Sequence, residues 1–453
     1  MVSGQPESSG TAGAGQLNLM KPIVAIIGRP NVGKSTLFNR IVGHRKALTH
    51  DQPGVTRDRN FADAHWGGRD FVCIDTGGFP LDQGTLDEKV EEQISLAMSE
   101  SDCILCVFDG QAGLVPEEAR IVEQLRRIGK PVFYVVNKID VPVHEDRLTD
   151  FYAAGVEELL PVSGEHGYQV AELLDRLVGS FPSELEEAPL DAATIQLAVV
   201  GRPNVGKSSL VNALLGQSRV VVDATPGTTR DPIDTPFHVG EQPYLLVDTA
   251  GIRRRSQKGG LLERITVMQS LRAIERADVC LLVLAADQAL SKQDSHIAGT
   301  ITDRGRGLIV VWNKIDLMPT PDRKRVLRST RDSLKYLPAI PIHLISALEG
   351  HGVDSLLPEV KGLHEELATR ISTSRLNEVF SSLVEHHNLP SFRGKEVKIY
   401  YATQVAIRPP TFIVFSNYPA GVPDTYRRYL QQGLREQLGL ERIPVRLVVR
   451  KRK

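Results

Sequence analysis

Lys34 and Ser35 close the run Gly28-Arg29-Pro30-Asn31-Val32-Gly33-Lys34-Ser35, and Lys207 and Ser208 close an identical one, Gly201-Arg202-Pro203-Asn204-Val205-Gly206-Lys207-Ser208. A Gly-x4-Gly-Lys-Ser stretch that follows an apolar strand and opens a helix has the pattern of a loop that cradles phosphate. Its glycines let backbone amides turn inward, and the helix N-terminus adds its dipole. The lysine neutralises the β and γ oxygens, and the serine hydroxyl is placed to ligate magnesium. One isolated match would also describe an ordinary strand-to-helix turn; two in the same context point to phosphate.

Asp75-Thr76-Gly77-Gly78 and Asp248-Thr249-Ala250-Gly251 end the next apolar strand of each copy. The carboxylate there can hold magnesium through water, and the amide of Gly78 or Gly251 can bond a γ-phosphate. Asn137-Lys138-Ile139-Asp140 and Asn313-Lys314-Ile315-Asp316 end a further strand. An Asp at the end of that motif accepts from both the ring and exocyclic nitrogens of guanine, whereas adenine would leave it unpaired, so GTP is expected over ATP. Ser163-Gly164 and Ser346-Ala347 follow the last apolar run, where a loop can close on the guanine oxygen; the first copy's Ser-Gly departs from the second copy's Ser-Ala.

These residues need a scaffold, and its outline is legible. The two loops are 173 positions apart, an offset shared by Pro53-Gly54 with Pro226-Gly227 and by Asp75-Thr76 with Asp248-Thr249. A period that long is a duplicated domain and not a solenoid, whose repeats run about 20 to 50 residues. Short apolar, β-branched runs alternate with helical stretches: Ile23 to Ile27, Phe71 to Ile74, Cys103 to Phe108 and Val132 to Val136, then Ile195 to Val200, Tyr244 to Val247, Val279 to Leu284 and Gly307 to Trp312. Such runs are buried strands of a mainly parallel sheet with helical crossovers. The expected fold is α/β: a disordered leader over 1–20, a first phosphate-loop domain over 21–182, an acidic linker over 183–193, a second such domain over 194–366 and a small basic α+β module over 367–453. In the module the pattern predicts a helix (Leu376 to His386), strands at Lys395 to Ala402 and Thr411 to Ser416, a helix opened by Pro423-Asp424, and a strand at Val445 to Arg450.

Composition narrows the function classes. In 453 residues, 41% hydrophobic and 24% charged, no apolar run approaches the roughly 18 residues of a membrane helix, so no membrane partner is expected. Four cysteines cannot build a disulfide framework, and the N-terminus lacks a secretory pattern, which favours a reducing cytoplasm. The formal net charge of -1 conceals a division: residues 367–453 hold 15 Lys and Arg against 6 Asp and Glu, or +9, leaving -10 on the rest. A basic module on an acidic body fits either a polyanionic partner such as nucleic acid or a solvated surface.

The ordered motifs resemble translation-factor-type GTPases, and their duplication ahead of a small basic domain resembles the Der (EngA) family over about residues 21–450. The resemblance implies two GTP/GDP sites that hydrolyse GTP, and a KH-like C-terminal domain. It further implies a role in assembly of the large ribosomal subunit, with that particle or its precursor and its rRNA as partners. It makes Thr56 and Thr229 the switch threonines that meet magnesium and γ-phosphate. Asn31 and Asn204 match the position that holds potassium in related GTPases, with an Asn that merely stabilises the turn as the alternative. Phe79 and Ile252 stand where a glutamine could orient the attacking water. Intrinsic hydrolysis is therefore expected to be slow and stimulated by potassium or a partner. A monomer is expected, since the chain already carries two G domains. The alternatives are a scaffold in which one site turns over and the other is structural, and a GTPase of another RNA process.

Other features carry competing readings. Cys103-x2-Cys106 has metal or redox spacing but lies in an apolar strand pattern, which predicts core packing. His386-His387 reads as a surface pair at a helix end. Arg253-Arg254-Arg255 either grips RNA or is a solvated loop. The module's glycines, Gly394, Gly421, Gly433 and Gly439, never fall three apart, so it lacks the Gly-x-x-Gly loop that clamps a nucleotide backbone.

Overall fold

The computed structural model describes residues 21–48, 61–76, 101–181, 193–222, 234–248, 270–387, 389, 391–392 and 394–452. The leader, most of the expected linker, Pro53-Gly54, Thr56, Gly77, Gly78, Phe79, Pro226-Gly227, Thr229, Thr249, Ala250, Gly251, Ile252 and Arg253 to Arg255 lie outside the described residues.

The first domain is built on a six-stranded sheet in the order β2-β3-β1-β4-β5-β6: β1 Ile23–Ile27, β2 Phe61–Trp66, β3 Arg69–Asp75, β4 Cys103–Asp109, β5 Val132–Asn137 and β6 Leu159–Pro161. All pairs are parallel except β2 with β3. That antiparallel hairpin turns at Gly67-Gly68, both with positive φ, the backbone of a tight two-residue hairpin. Every residue of β1 and β4 is buried, because helices cover both faces of a parallel sheet. Cys103 and Cys106 sit in β4 as free thiols facing opposite cores. Burial raises the Cys103 thiol to about 12 and the Cys106 thiol further still, so both are inert packing groups.

The second domain repeats the plan in a seven-stranded sheet, β13-β12-β11-β7-β10-β9-β8, with β7 Ile195–Val200, β8 Val220–Val222, β9 Thr235–Val239, β10 Gln242–Leu246, β11 Val279–Ala285, β12 Gly307–Asn313 and β13 Ile342–Leu344. The last module has helices Thr373–His386 and Asp424–Leu438 on a three-stranded sheet of β14 Ile399–Ala406, β15 Thr411–Ser416 and β16 Arg446–Lys451. β14 begins four residues later than the pattern suggested, because Phe392 and Lys395 pair backbone to backbone across a turn at Gly394. The apolar cluster beneath the second sheet, including Leu281, Leu363 and Leu367, continues into Leu376, Phe380, Phe412 and Leu434 of the module. His386 ends its helix at the surface, and His387 stacks on Tyr426 and lies tilted against Tyr429; among the described residues no cluster could hold a metal.

Candidate nucleotide-binding sites

Four strands in each copy deliver a motif at or just past their C-terminal ends, the side of an open α/β sheet where ligands bind. β1 leads into Gly28, β3 ends at Asp75, β5 ends at Asn137, and Ser163 follows β6. The second copy delivers Gly201, Asn313 and Ser346 from β7, β12 and β13, with Asp248 just past β10.

The loops themselves need unusual backbone. Gly33 and Gly206 have φ of 92° and 96°, and a Cβ there would lie 2.2 and 2.1 Å from the side-chain nitrogens of Asn137 and Asn313. Those asparagines occupy the space. Asn137 Nδ2 donates to the Val32 carbonyl at 2.9 Å and its Oδ1 accepts from the Gly164 amide at 2.9 Å. Asn313 does the same with Val205 at 3.0 Å and Ala347 at 2.9 Å. Thus the Asn of the base-selecting motif ties the phosphate loop to the last loop of the site, in both copies.

Lys34 is buried, and its Nζ donates to the carbonyls of Gly28 and Arg29 at 2.8 and 2.6 Å. Lys207 donates to Gly201 and Arg202, both at 2.8 Å. Burial lowers each ammonium from 10.5 to about 8. A cation desolvated in this way, leaning on neutral carbonyls, is poised to take an anionic partner. Ser35 Oγ donates to Asp75 Oδ2 at 2.5 Å, with Asp75 fully buried. A hydroxyl and a carboxylate oxygen in contact are hard donors of the kind magnesium takes, so the pair fits that ion. Thr76 is held by its hydroxyl on the Ile26 carbonyl at 2.6 Å. Asp248 has φ of 58°, and its amide donates to Asp234 Oδ1 at 3.0 Å.

At the base end, Ser163 Oγ donates to Asp140 Oδ1 at 2.7 Å and Ser346 Oγ to Asp316 Oδ1 at 2.6 Å. In each copy the serine hydroxyl thus fixes one oxygen of the Asp carboxylate. The Ser-Gly departure of the first copy has a packing cause: a Cβ on Gly164 would lie 3.0 and 3.1 Å from the backbone N and Cα of Leu37. Its amide still serves Asn137 as the Ala347 amide serves Asn313.

Four carboxylates at these sites were not among the sequence expectations. Asp109 and Asp287 approach the motif lysines, Lys138 at 2.5 Å and Lys314 at 3.6 Å. Glu118 and Asp294 accept from the loop arginines, Arg29 Nε at 2.8 Å and Arg202 Nε at 2.9 Å. An acid three residues into a helix reads locally as a cap, and only the fold brings the loop arginine to it.

The comparisons with known proteins agree with this geometry. A family model described as a 50S ribosome-binding GTPase matches residues 23–138 and 196–314. Another, the KH-domain-like C-terminal domain of EngA bacterial GTPase enzymes, matches 370–450, and the elongation factor Tu GTP-binding domain matches 267–366. GTPase Der of Geotalea daltonii is 48% identical over 96% of this chain and 99% of its own length. This chain belongs to the GTPase Der family. GTPase Der of Moorella thermoacetica is 45% identical over 95% of this chain and 99% of that protein. Membership makes the chain a GTPase with tandem G domains and a KH-like C-terminal domain, within the 50S ribosome-binding group. No helix among the described residues is long and apolar enough to cross a membrane.

Proposed function

We propose that both G domains bind and turn over GTP, and that the cycle gates this Der-family chain on and off the large ribosomal subunit or its precursor during maturation. The carrying observation is that the two copies hold equivalent networks among loop lysine, motif asparagine, base-selecting Asp and serine. A copy retained only as structural ballast would have no need of a poised, desolvated lysine.

In this reading Gly28 to Ser35 and Gly201 to Ser208 wrap the phosphates, Lys34 and Lys207 leave their carbonyls for the β and γ oxygens, and Asp140 and Asp316 select guanine. Ser35 and Ser208, with Thr56 and Thr229, would hold magnesium, which neutralises charge developing on the phosphates. Asn31 and Asn204 lie exposed in the loops at φ of 66° and 64° and would supply amide oxygens to potassium. Gly78 and Gly251 would donate their amides to the γ-phosphate. The apolar Phe79 and Ile252 offer the water no orienting group, so turnover is slow without a cation or partner.

Domain packing supports a switch. The second G domain shares an apolar core with the KH-like module, whereas Arg272 with Asp102 and Arg304 with Asp63 link the first G domain to the second. Among the described residues these links are ionic: the half-exposed Arg272 pair is worth about 0–1 kcal/mol, and the largely buried Arg304, shared between Asp63 and Glu275, is the contact that movement of the first G domain would have to break.

The test is sedimentation of the full chain with ribosomal subunits at fixed salt in GDP, GTP and a non-hydrolysable GTP analogue. Association with the large subunit only in the triphosphate states is expected. Absence of association in every state would remove the ribosome and leave the GTPase standing.

A further inference from the structure

We propose that the outer face of the C-terminal sheet is a stacking platform for unpaired RNA bases; this deepens the ribosomal reading above. Helices Thr373–His386 and Asp424–Leu438 pack on the other face, over Ala402, Phe412, Val414 and Leu447. Across the outer face, Tyr401 pairs with Phe415 and Phe415 with Arg450, so two rings and a guanidinium lie in one row over three strands. The Tyr401 and Phe415 rings stack at 4.5 Å. A register shift between Ile399 and Tyr401 adds Tyr400 beside them, with the Arg452 guanidinium 4.7 Å above its ring. Tyr400 and Tyr401 are 44% and 42% exposed, large aromatic surfaces that the protein leaves in water. At the other end of β16, Arg446 donates to the Arg304 carbonyl of the second G domain, so the free end is the Tyr401 end.

Basic side chains between exposed rings fit a flexible polyanion that carries flat bases. A rigid duplex keeps its bases stacked and needs no rings. The +9 charge of residues 367–453 supplies the phosphate attraction. The absence of a Gly-x-x-Gly clamp also removes the usual site on the helical side of such a domain.

The probe is a labelled mixed-sequence single-stranded oligoribonucleotide, compared with the same strand annealed to its complement, at fixed salt and on the full chain. Replacing both Tyr400 and Tyr401 by Ala should weaken single-strand binding about ten- to hundredfold and leave duplex binding unchanged. Replacing both by Phe should restore single-strand binding. No single-strand binding by the parent chain, parental affinity in the Ala variant, or equal loss for strand and duplex would overturn the platform. Those outcomes with nucleotide-gated sedimentation intact reject the platform alone; loss of both rejects the ribosomal reading with it.

A second observation stands independently of RNA. From the paired anchors of the loop arginines we infer that Glu118 and Asp294 are positioning residues for GTP. Both are buried, at 1% and 0% exposure. Glu118 Oε1 holds Arg29 while its Oε2 accepts the Val115 amide at 3.2 Å. Asp294 Oδ1 holds Arg202 while its Oδ2 accepts the Ser291 amide at 2.9 Å and hydroxyl at 2.8 Å. Each carboxylate therefore anchors the loop arginine whose own carbonyl supports the loop lysine. The same linkage made by different acids in the two copies marks the geometry as what matters.

With the second site disabled by Lys207→Ala, Glu118→Ala should lower GTP affinity at the first site about tenfold, the scale of one charge-assisted hydrogen bond. Arg29→Ala should do the same, and the double variant should be no worse than either alone. Glu118→Asp, which keeps the acid found in the second copy, should recover part of the loss. Unchanged affinity, or additive losses in the double variant, would reject the assignment, and thermal unfolding of each variant separates it from general destabilisation.

Discussion

In the first G domain Lys138 lies 2.5 Å from Asp109, the last residue of β4, whereas in the second the equivalent Lys314 lies 3.6 Å from Asp287, two residues beyond β11. Strand pairing shows the exchange: Asp109 stands opposite Asn137, and Ala285 holds that place opposite Asn313. The carboxylate has moved but still reaches the same lysine. Glu118 against Asp294 and Gly164 against Ala347 repeat the pattern of preserved contacts with altered carriers. What stays identical in both copies is the phosphate loop, Gly28 to Ser35 and Gly201 to Ser208, and the Asn-Lys-Ile-Asp motif. After duplication, the constraint acts on the geometry around the phosphate and the base, and the supporting residues drift within it.

The largest expected effect tests whether that equivalence extends to turnover. Lys34→Ala and Lys207→Ala should each cost about 10²–10³ in hydrolysis at their own site, the scale of removing one preorganised donor. Steady-state GTP hydrolysis in potassium and in sodium measures it. Similar residual rates in the two variants uphold equivalent copies; a chain silenced by one change and untouched by the other means a single working site.

Asp140→Asn and Asp316→Asn come next. Each puts an amide where guanine needs two acceptor contacts, and a buried mismatch of that kind costs about a hundredfold or more. GTP affinity at the changed site should fall, and affinity for xanthosine triphosphate should rise. If only one variant shows the reversal, the copies select their base differently despite the matching Ser163 and Ser346 contacts.

A pH series gives a smaller, shared effect. Lys34 and Lys207 titrate near 8 when buried beside carbonyls. A phosphate partner favours the charged form, so binding takes up a proton above that pH. Affinity should be flat below about pH 7 and fall about tenfold per unit well above pH 8, until the bound-state lysine itself titrates. Calorimetry in buffers of different ionisation enthalpy counts the proton. Since burial is the leading cause at both lysines, a pH profile that differs between the copies would mean that neighbouring charges dominate instead.

How much of this was legible beforehand follows from where each signal resides. Strands such as β4 and β11 are almost wholly apolar because helices cover both faces, and that composition is local. β2 was not legible: its sequence FADAHW alternates weakly, and it is held by pairing with β3. The loop and base motifs are contiguous and could be read directly. Their supports could not, since Glu118 lies 89 positions from Arg29, and Asn137 lies 105 from Val32. The departure at Gly164 had no visible reason, because nothing near it in sequence reveals that Leu37 packs against it.

The smallest predicted effect sharpens the opening contrast. Burial acts to raise the Asp109 carboxyl, but Lys138 and the amides of Gln111 and Ala112 overcome it and hold it below its usual range. In the first copy, then, the motif lysine starts in a short, charge-assisted contact that base binding must share or loosen. The longer Lys314 contact to a more exposed Asp287 is weaker, by the ordinary behaviour of screened surface pairs. Asp109→Asn keeps a side-chain oxygen to accept the Gln111 and Ala112 amides while removing the charge. It should change GDP affinity at the first site a few fold, and Asp287→Asn should change the second site less. Fluorescent-GDP titration of each site, with the other disabled at its loop lysine, reads the difference. A larger effect from Asp287 than from Asp109 would reverse the ranking and show that neither the contact distance nor the exposure of the carboxylate decides how tightly the lysine is held.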